Sequence, residues 1–157
     1  MMQFISPSRG ELSFDEMFVD IVGYMTEDPA VCYDLIVGTD SQFGEETCFV
    51  TAVIVHRQGK GARYYYTRSR ERVGDSLRQR IFYETSRSLG LAGRLAESLA
   101  QNGYADLNVE IHLDVGENGR TRGLIREVVG MVVGSGFDAR IKPDSYGAST
   151  VADKYTK

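Results

Sequence analysis

Three strand-like segments stand in direct succession between residues 33 and 70, and each strand-like segment after them is preceded by a helical one. Tyr33 to Asp40 holds the apolar run Leu35-Ile36-Val37 with no helix cap, which reads as a buried strand. Residues 47–57 are rich in β-branched side chains and read as a second strand. Gln58-Gly59-Lys60-Gly61 marks a hairpin loop, and residues 63–70, with Tyr64, Tyr65 and Tyr66, read as a third strand. Short turns make these three an antiparallel meander. A helical pattern then runs from about Asp75 to Gln101, where Asn102-Gly103 stops it. Leu107, Val109, Ile111 and Leu113 alternate with polar residues and predict a fourth strand. Leu124, Ile125, Val128, Val129, Val132 and Val133 give another amphipathic helix, closed by Gly134 and Gly136. Phe137 to Ile141 is a fifth strand, parallel to the fourth because a helix separates them. Ser13 and Glu16 form a capping box for a first helix ending before Asp28-Pro29, and Ala148, Val151, Ala152 and Tyr155 suggest a short last one. The expected fold is α/β: a mixed five-stranded sheet, a three-stranded antiparallel meander plus two parallel strands, with helices on both faces. The first strand, the most apolar, is its expected centre.

A length of 157 residues suits one domain, 1–157, with residues 1–30 a helical extension packed on it. No run approaches the roughly 18 apolar residues of a membrane span. Met1 to Pro7 lacks the basic and apolar regions of a signal peptide. Cys32 and Cys48 make neither a disulfide framework nor a C-x-x-C pair, so a reducing cytoplasm is expected, with both as small core-facing residues. With His56 and His112 as the only histidines, a His-rich metal site has little room. Charge is uneven. The segment from Arg57 to Arg94 carries +7, which leaves −11 for the rest of a chain of net charge −4. Such a stripe is either a polyanion-facing edge or a solvated arginine-rich surface.

Three of the strands run apolar and then end in an aspartate: Asp40, Asp114 and Asp144. Ligands in open α/β sheets bind at the C-terminal edge of the parallel strands. Aspartate is also common there as a turn or cap residue, so one alone says little, whereas three at one edge point to a site. Glu84 adds a fourth acid. It falls beside the apolar stripe of Leu77, Ile81, Ala92, Leu95 and Leu99, while Glu97 lies nearly opposite. An acid so placed needs either an arginine partner, such as Arg80 or Arg87, or a cation. Four converging carboxylates repel one another unless a cation neutralises them. Oxygen-only ligation suits Mg²⁺ or Mn²⁺ rather than Zn²⁺. Two such ions about 4 Å apart would serve phosphodiester cleavage.

Gly38-Thr39-Asp40-Ser41-Gln42, Tyr83-Glu84-Thr85, His112-Leu113-Asp114-Val115-Gly116 and Lys142-Pro143-Asp144-Ser145 together resemble the bacterial YkuK-type ribonuclease-H-like family of the ribonuclease H superfamily. The ending from Ala148 to Lys157 resembles it too, so the likeness spans nearly the whole chain. The resemblance implies a ribonuclease-H-like fold. It implies Asp40, Glu84 and Asp114 as the first three acids of a DEDD-type site, with Asp144 as the fourth and Asp153 in reserve. It further implies an Mg²⁺- or Mn²⁺-dependent nuclease or phosphodiesterase, with RNA, DNA or a hybrid as partner. The alternative is a non-catalytic nucleic-acid-binding or assembly module on the same fold. The chain departs from the best-known ribonuclease H enzymes in having no histidine in a loop before the last acid; His112 is on a strand. Ser41 and Gln42 either orient a ligand or make a turn. Lys142 either neutralises a phosphate or sits on the strand edge. Alternation sends Tyr65 to the face opposite Tyr64 and Tyr66, so base stacking cannot claim all three.

Overall fold

The computed structural model describes residues 2–74, 76–145 and 155. Among them, strands β1 (Phe4–Ser6), β2 (Gly10–Leu12), β3 (Tyr33–Gln42), β4 (Thr47–Arg57), β5 (Gly61–Glu71), β6 (Asn108–His112) and β7 (Asp138–Arg140) form one sheet in the order β2-β1-β5-β4-β3-β6-β7. The expected meander is β3-β4-β5, antiparallel throughout, and β6 and β7 continue it in parallel from β3. The expected strand count of five is corrected to seven. The two additions, β1 and β2, are three residues each, too short to show alternation, and they join the sheet by pairing Ile5 with Tyr66.

Helices α1 (Phe14–Glu27), α2 (Leu77–Gln101) and α3 (Ile125–Gly134) follow the predicted caps and stripes. In α1, Ser13 Oγ accepts from the Glu16 N–H while Glu16 Oε1 accepts from the Ser13 N–H. Such a cap stabilises a helix by about 1 kcal/mol. Ser76 caps α2 with one bond only, its Oγ accepting from the Gln79 N–H. The sequence predicts helices on both faces; the three described ones all share one core with a single face of the sheet, and on the other face Tyr155 is the one helical residue described. Met17 and Ile21 of α1, Leu95 and Leu99 of α2, and Val128 and Val132 of α3 meet Leu35, Val37, Val53, Tyr65 and Ile111 there. Truncating a fully buried leucine such as Leu95 to alanine would cost about 2–5 kcal/mol.

The opposite face carries Cys48, Val50, Ala52 and Tyr66, and Tyr155 packs on it. The rings of Tyr66 and Tyr155 stack with centroids 3.8 Å apart, and Tyr64 and Tyr155 share a hydroxyl hydrogen bond of 2.8 Å. Tyr65 turns to the helix face and is fully buried, its hydroxyl donating to Asp20 of α1. The tyrosines therefore divide between the faces as alternation requires, and those on the open face stack within the chain. The predicted last helix lies outside the described residues except for Tyr155, which is helical. Cys48 is buried as expected, whereas Cys32 is exposed, because it precedes β3 in the connection from α1. No helix among the described residues is long and apolar enough to cross a membrane.

Candidate functional site

Parallel register places the first two acids side by side. Gly38 of β3 pairs with His112, the last residue of β6, so Asp114, two residues past the strand end, emerges on the side of Asp40 at the C-terminal edge. Glu84 reaches the same point from α2, where it is 5% exposed. One carboxylate oxygen from each of Asp40, Glu84 and Asp114 lies within 4.8 Å of the others. Asp144 is exposed and stands outside this group, and Asp153 lies outside the described residues.

Glu84 forms no ion pair with Arg80 or Arg87 among the described residues. Its partner is Ser41, which points from β3 towards α2 and donates its hydroxyl to Glu84 Oε2 at 2.5 Å. Burial raises the Glu84 carboxyl well above its ordinary value of 4.5; the Ser41 hydrogen bond opposes this, and the charges of Asp40 and Asp114 add to it. The charge of Arg80 also lowers it, but burial outweighs both opposing effects, so the charged form of Glu84 gains from any further positive charge beside it.

Some positive charge is already there. Lys142, after β7, places Nζ 2.6 Å from Asp114 Oδ1. That contact raises the lysine's own proton affinity, with Asp40 and Glu84 adding to it. Backbone pairing delivers the side chain: the Lys142 N–H donates to the Val115 carbonyl at 2.9 Å. Gly116 eases the approach, because a Cβ there would lie 3.0 Å from Lys142 Cβ, tighter than ordinary contact. The sequence offered Lys142 as either a phosphate contact or an edge residue; its bond to Asp114 depends on the path of the chain after β7.

His112 is buried on β6, with Nε2 3.3 Å from Glu110 Oε1 and its proton affinity lowered chiefly by burial. Glu110 also faces Arg140 and Asn108, so the histidine belongs to a polar network on β6 and β7 rather than to the carboxylate group. Part of the basic stripe is engaged within the chain. Arg57 and Arg63 pack on Tyr24, Arg63 pairs with Asp20, Lys60 with Asp28 and Arg78 with Glu127.

The donor set fits a hard divalent ion. It is oxygen-only, and donor atoms on opposite sides of an octahedral Mg²⁺ at 2.0–2.1 Å stand about 4 Å apart, within the spread of these three carboxylates. A family model described as Ribonuclease H-like matches residues 16–157. The protein named "Uncharacterized protein YkuK" of Bacillus subtilis (strain 168) is 36% identical over 166 residues, covering 98% of this chain and 96% of that protein. No solved structure matches at a significant level. The mixed sheet, the acids at its edge and these two matches agree: the chain belongs to the YkuK-type ribonuclease-H-like family.

Proposed function

We propose that the protein is a metal-dependent nuclease or phosphodiesterase that uses Mg²⁺ or Mn²⁺ on a nucleic-acid substrate. The observation that carries this reading is the meeting of Asp40, Glu84 and Asp114 within 4.8 Å, one of them buried. Bound there, a divalent ion supplies Lewis-acid stabilisation of the phosphoryl oxygens and lowers the pKa of a water for attack. Asp40 and Asp114 would hold that charge at the strand ends, and Glu84 would complete the set from α2. Ser41 fixes the Glu84 carboxylate. Lys142, 54% exposed, is free to turn from Asp114 towards a substrate phosphate once Asp114 has a stronger partner. Asp144, exposed two residues after Lys142, is the proposed fourth acid. The reducing cytoplasm is the proposed compartment, where the exposed Cys32 stays a thiol.

Cleavage of end-labelled RNA, DNA and hybrid strands, with Mg²⁺ or Mn²⁺ and with chelator, tests the proposal. Metal-dependent cleavage of at least one substrate, lost in Asp40→Asn with the fold intact, is the expected result. Equal cleavage by Asp40→Asn, or none by either protein on any substrate, overturns it. A second reading, a binding module without turnover, draws on the Lys142–Asp114 pair, which already offsets part of the site's charge. Salt-dependent but metal-independent binding of nucleic acid would favour that reading.

A further inference from the structure

We propose that a cavity between α2 and strands β4 and β5 is a second site that binds a phosphate group, independent of the carboxylates. The cavity holds about 380 Å³. That exceeds by far the roughly 30 Å³ one water occupies in the liquid. Thr51 and Thr67 form its floor, and Arg87, Gly90, Leu91 and Arg94 of α2 form one wall. No acid lines it.

Its two cations have no anionic partner among the described residues. Arg94 lies over the Phe14 ring at 4.0 Å and Arg87 beside the Tyr83 ring at 6.0 Å, and neither forms an ion pair. Arg87 Nε is buried with no hydrogen-bond partner, and so is the hydroxyl of Ser69, two residues along β5 from Thr67. Buried polar atoms are normally satisfied, so the Arg87 guanidinium, which lines the cavity, is short of a partner. The two guanidinium groups only donate, the Thr67 hydroxyl can donate as well, and a tetrahedral oxyanion is the acceptor-rich partner they match.

Gly90 keeps the entrance clear. It is exposed, and a Cβ there would touch nothing within 4 Å. Glycine inside a helix costs about 0.5–1 kcal/mol relative to alanine, so its place between the two arginines has a local cost that an open mouth would justify. The cavity also adjoins the acidic site. Thr51 shares a hydrogen bond of 3.0 Å with Thr39, and Thr39 one of 2.7 Å with Ser88, one turn from Glu84.

The phosphate belongs either to a nucleic-acid strand or to a free nucleotide, and one set of titrations separates them. Inorganic phosphate, a 5′-mononucleotide and a short single-stranded oligonucleotide are titrated into the whole protein in chelator, by calorimetry and melting temperature. Saturable binding is expected in wild type and in Asp40→Asn alike, which separates this site from the nuclease reading. Affinity should fall at least ten-fold in the Arg87→Gln/Arg94→Gln variant. Gly90→Leu keeps both arginines and gains helix propensity, so it should remain folded and lose affinity to a similar degree by filling the mouth. An oligonucleotide that binds far more tightly than the mononucleotide identifies a strand, and equal affinities identify a free nucleotide. No binding of any of the three probes, or undiminished binding in folded Gly90→Leu, overturns the proposal.

Discussion

Lys142 Nζ lies 2.6 Å from Asp114 Oδ1, inside the reach of the three carboxylates that meet at the edge of the sheet. The lysine and a divalent ion therefore compete for the same oxygen. The side chain is 54% exposed, so the pair contributes no more than about 1 kcal/mol. Lys142→Met should accordingly tighten Mn²⁺ binding by up to about five-fold, the equivalent of that energy, as read by calorimetry. Gly116→Val, whose Cβ would crowd the lysine stem at 3.0 Å, should shift Mn²⁺ affinity in the same direction. Unchanged affinity in both variants would remove the lysine from the site.

Glu84 makes stability without metal depend on pH. Its carboxyl is raised above 4.5 in the folded chain, chiefly by burial, so between 4.5 and that raised value the native state binds more protons than the unfolded one. Its contribution to stability is full below pH 4.5 and is lost as pH rises through the folded value. The melting temperature in chelator should carry this falling component over the window above 4.5, and Glu84→Gln should abolish it. Added Mn²⁺ should protect more strongly at higher pH, because binding requires the proton to leave. Identical pH profiles for wild type and Glu84→Gln would contradict the burial assignment.

Ser41→Ala removes the hydroxyl that Glu84 Oε2 accepts from. Leaving that buried oxygen without its donor should cost about 1–3 kcal/mol in urea unfolding. The lost bond is one that lowers the Glu84 pKa, so metal binding should also move to higher pH. Unfolding and metal titration curves that superimpose on wild type would show that Ser41 does not support Glu84.

Tyr155 covers Tyr66 on the sheet face away from the helices, with ring centroids 3.8 Å apart, and its hydroxyl meets that of Tyr64 at 2.8 Å. Tyr155→Ala should destabilise the fold by about 1–3 kcal/mol, the range for burying a large side chain. Tyr155→Phe should retain most of that through stacking. Equal losses in the two variants would assign the contact to the hydroxyl instead.

The elements legible in the sequence are those with a strong period. The β-branched run of β4, the alternation of β6, the stripe of α2 and the Ser13–Glu16 box each name their own structure, and their bounds agree to within about two residues. β1 and β2 were not legible, because three-residue strands carry no period and exist by pairing with β5 and each other. Asp40 and Asp114 could be read because strand ends and a shared edge follow from topology, and Glu84 because its place on an apolar stripe is anomalous. The partner of Glu84 could not be read that way. Arginines three and four residues away were the local candidates, but the serine after Asp40 reaches it across the sheet–helix interface. Lys142 was likewise hidden, since its contact rests on pairing beyond the end of β7 and on the space left by Gly116.

The central claim is that Asp40, Glu84 and Asp114 hold a divalent ion. Thermal unfolding with and without Mn²⁺, in wild type and Asp40→Asn, tests it most directly. Binding to the native state alone stabilises by about 2.7 kcal/mol at a hundredfold excess over Kd. A rise in melting temperature with Mn²⁺ in wild type, absent from a folded Asp40→Asn, is the predicted result. The same rise in both proteins, or no rise in either, would contradict it.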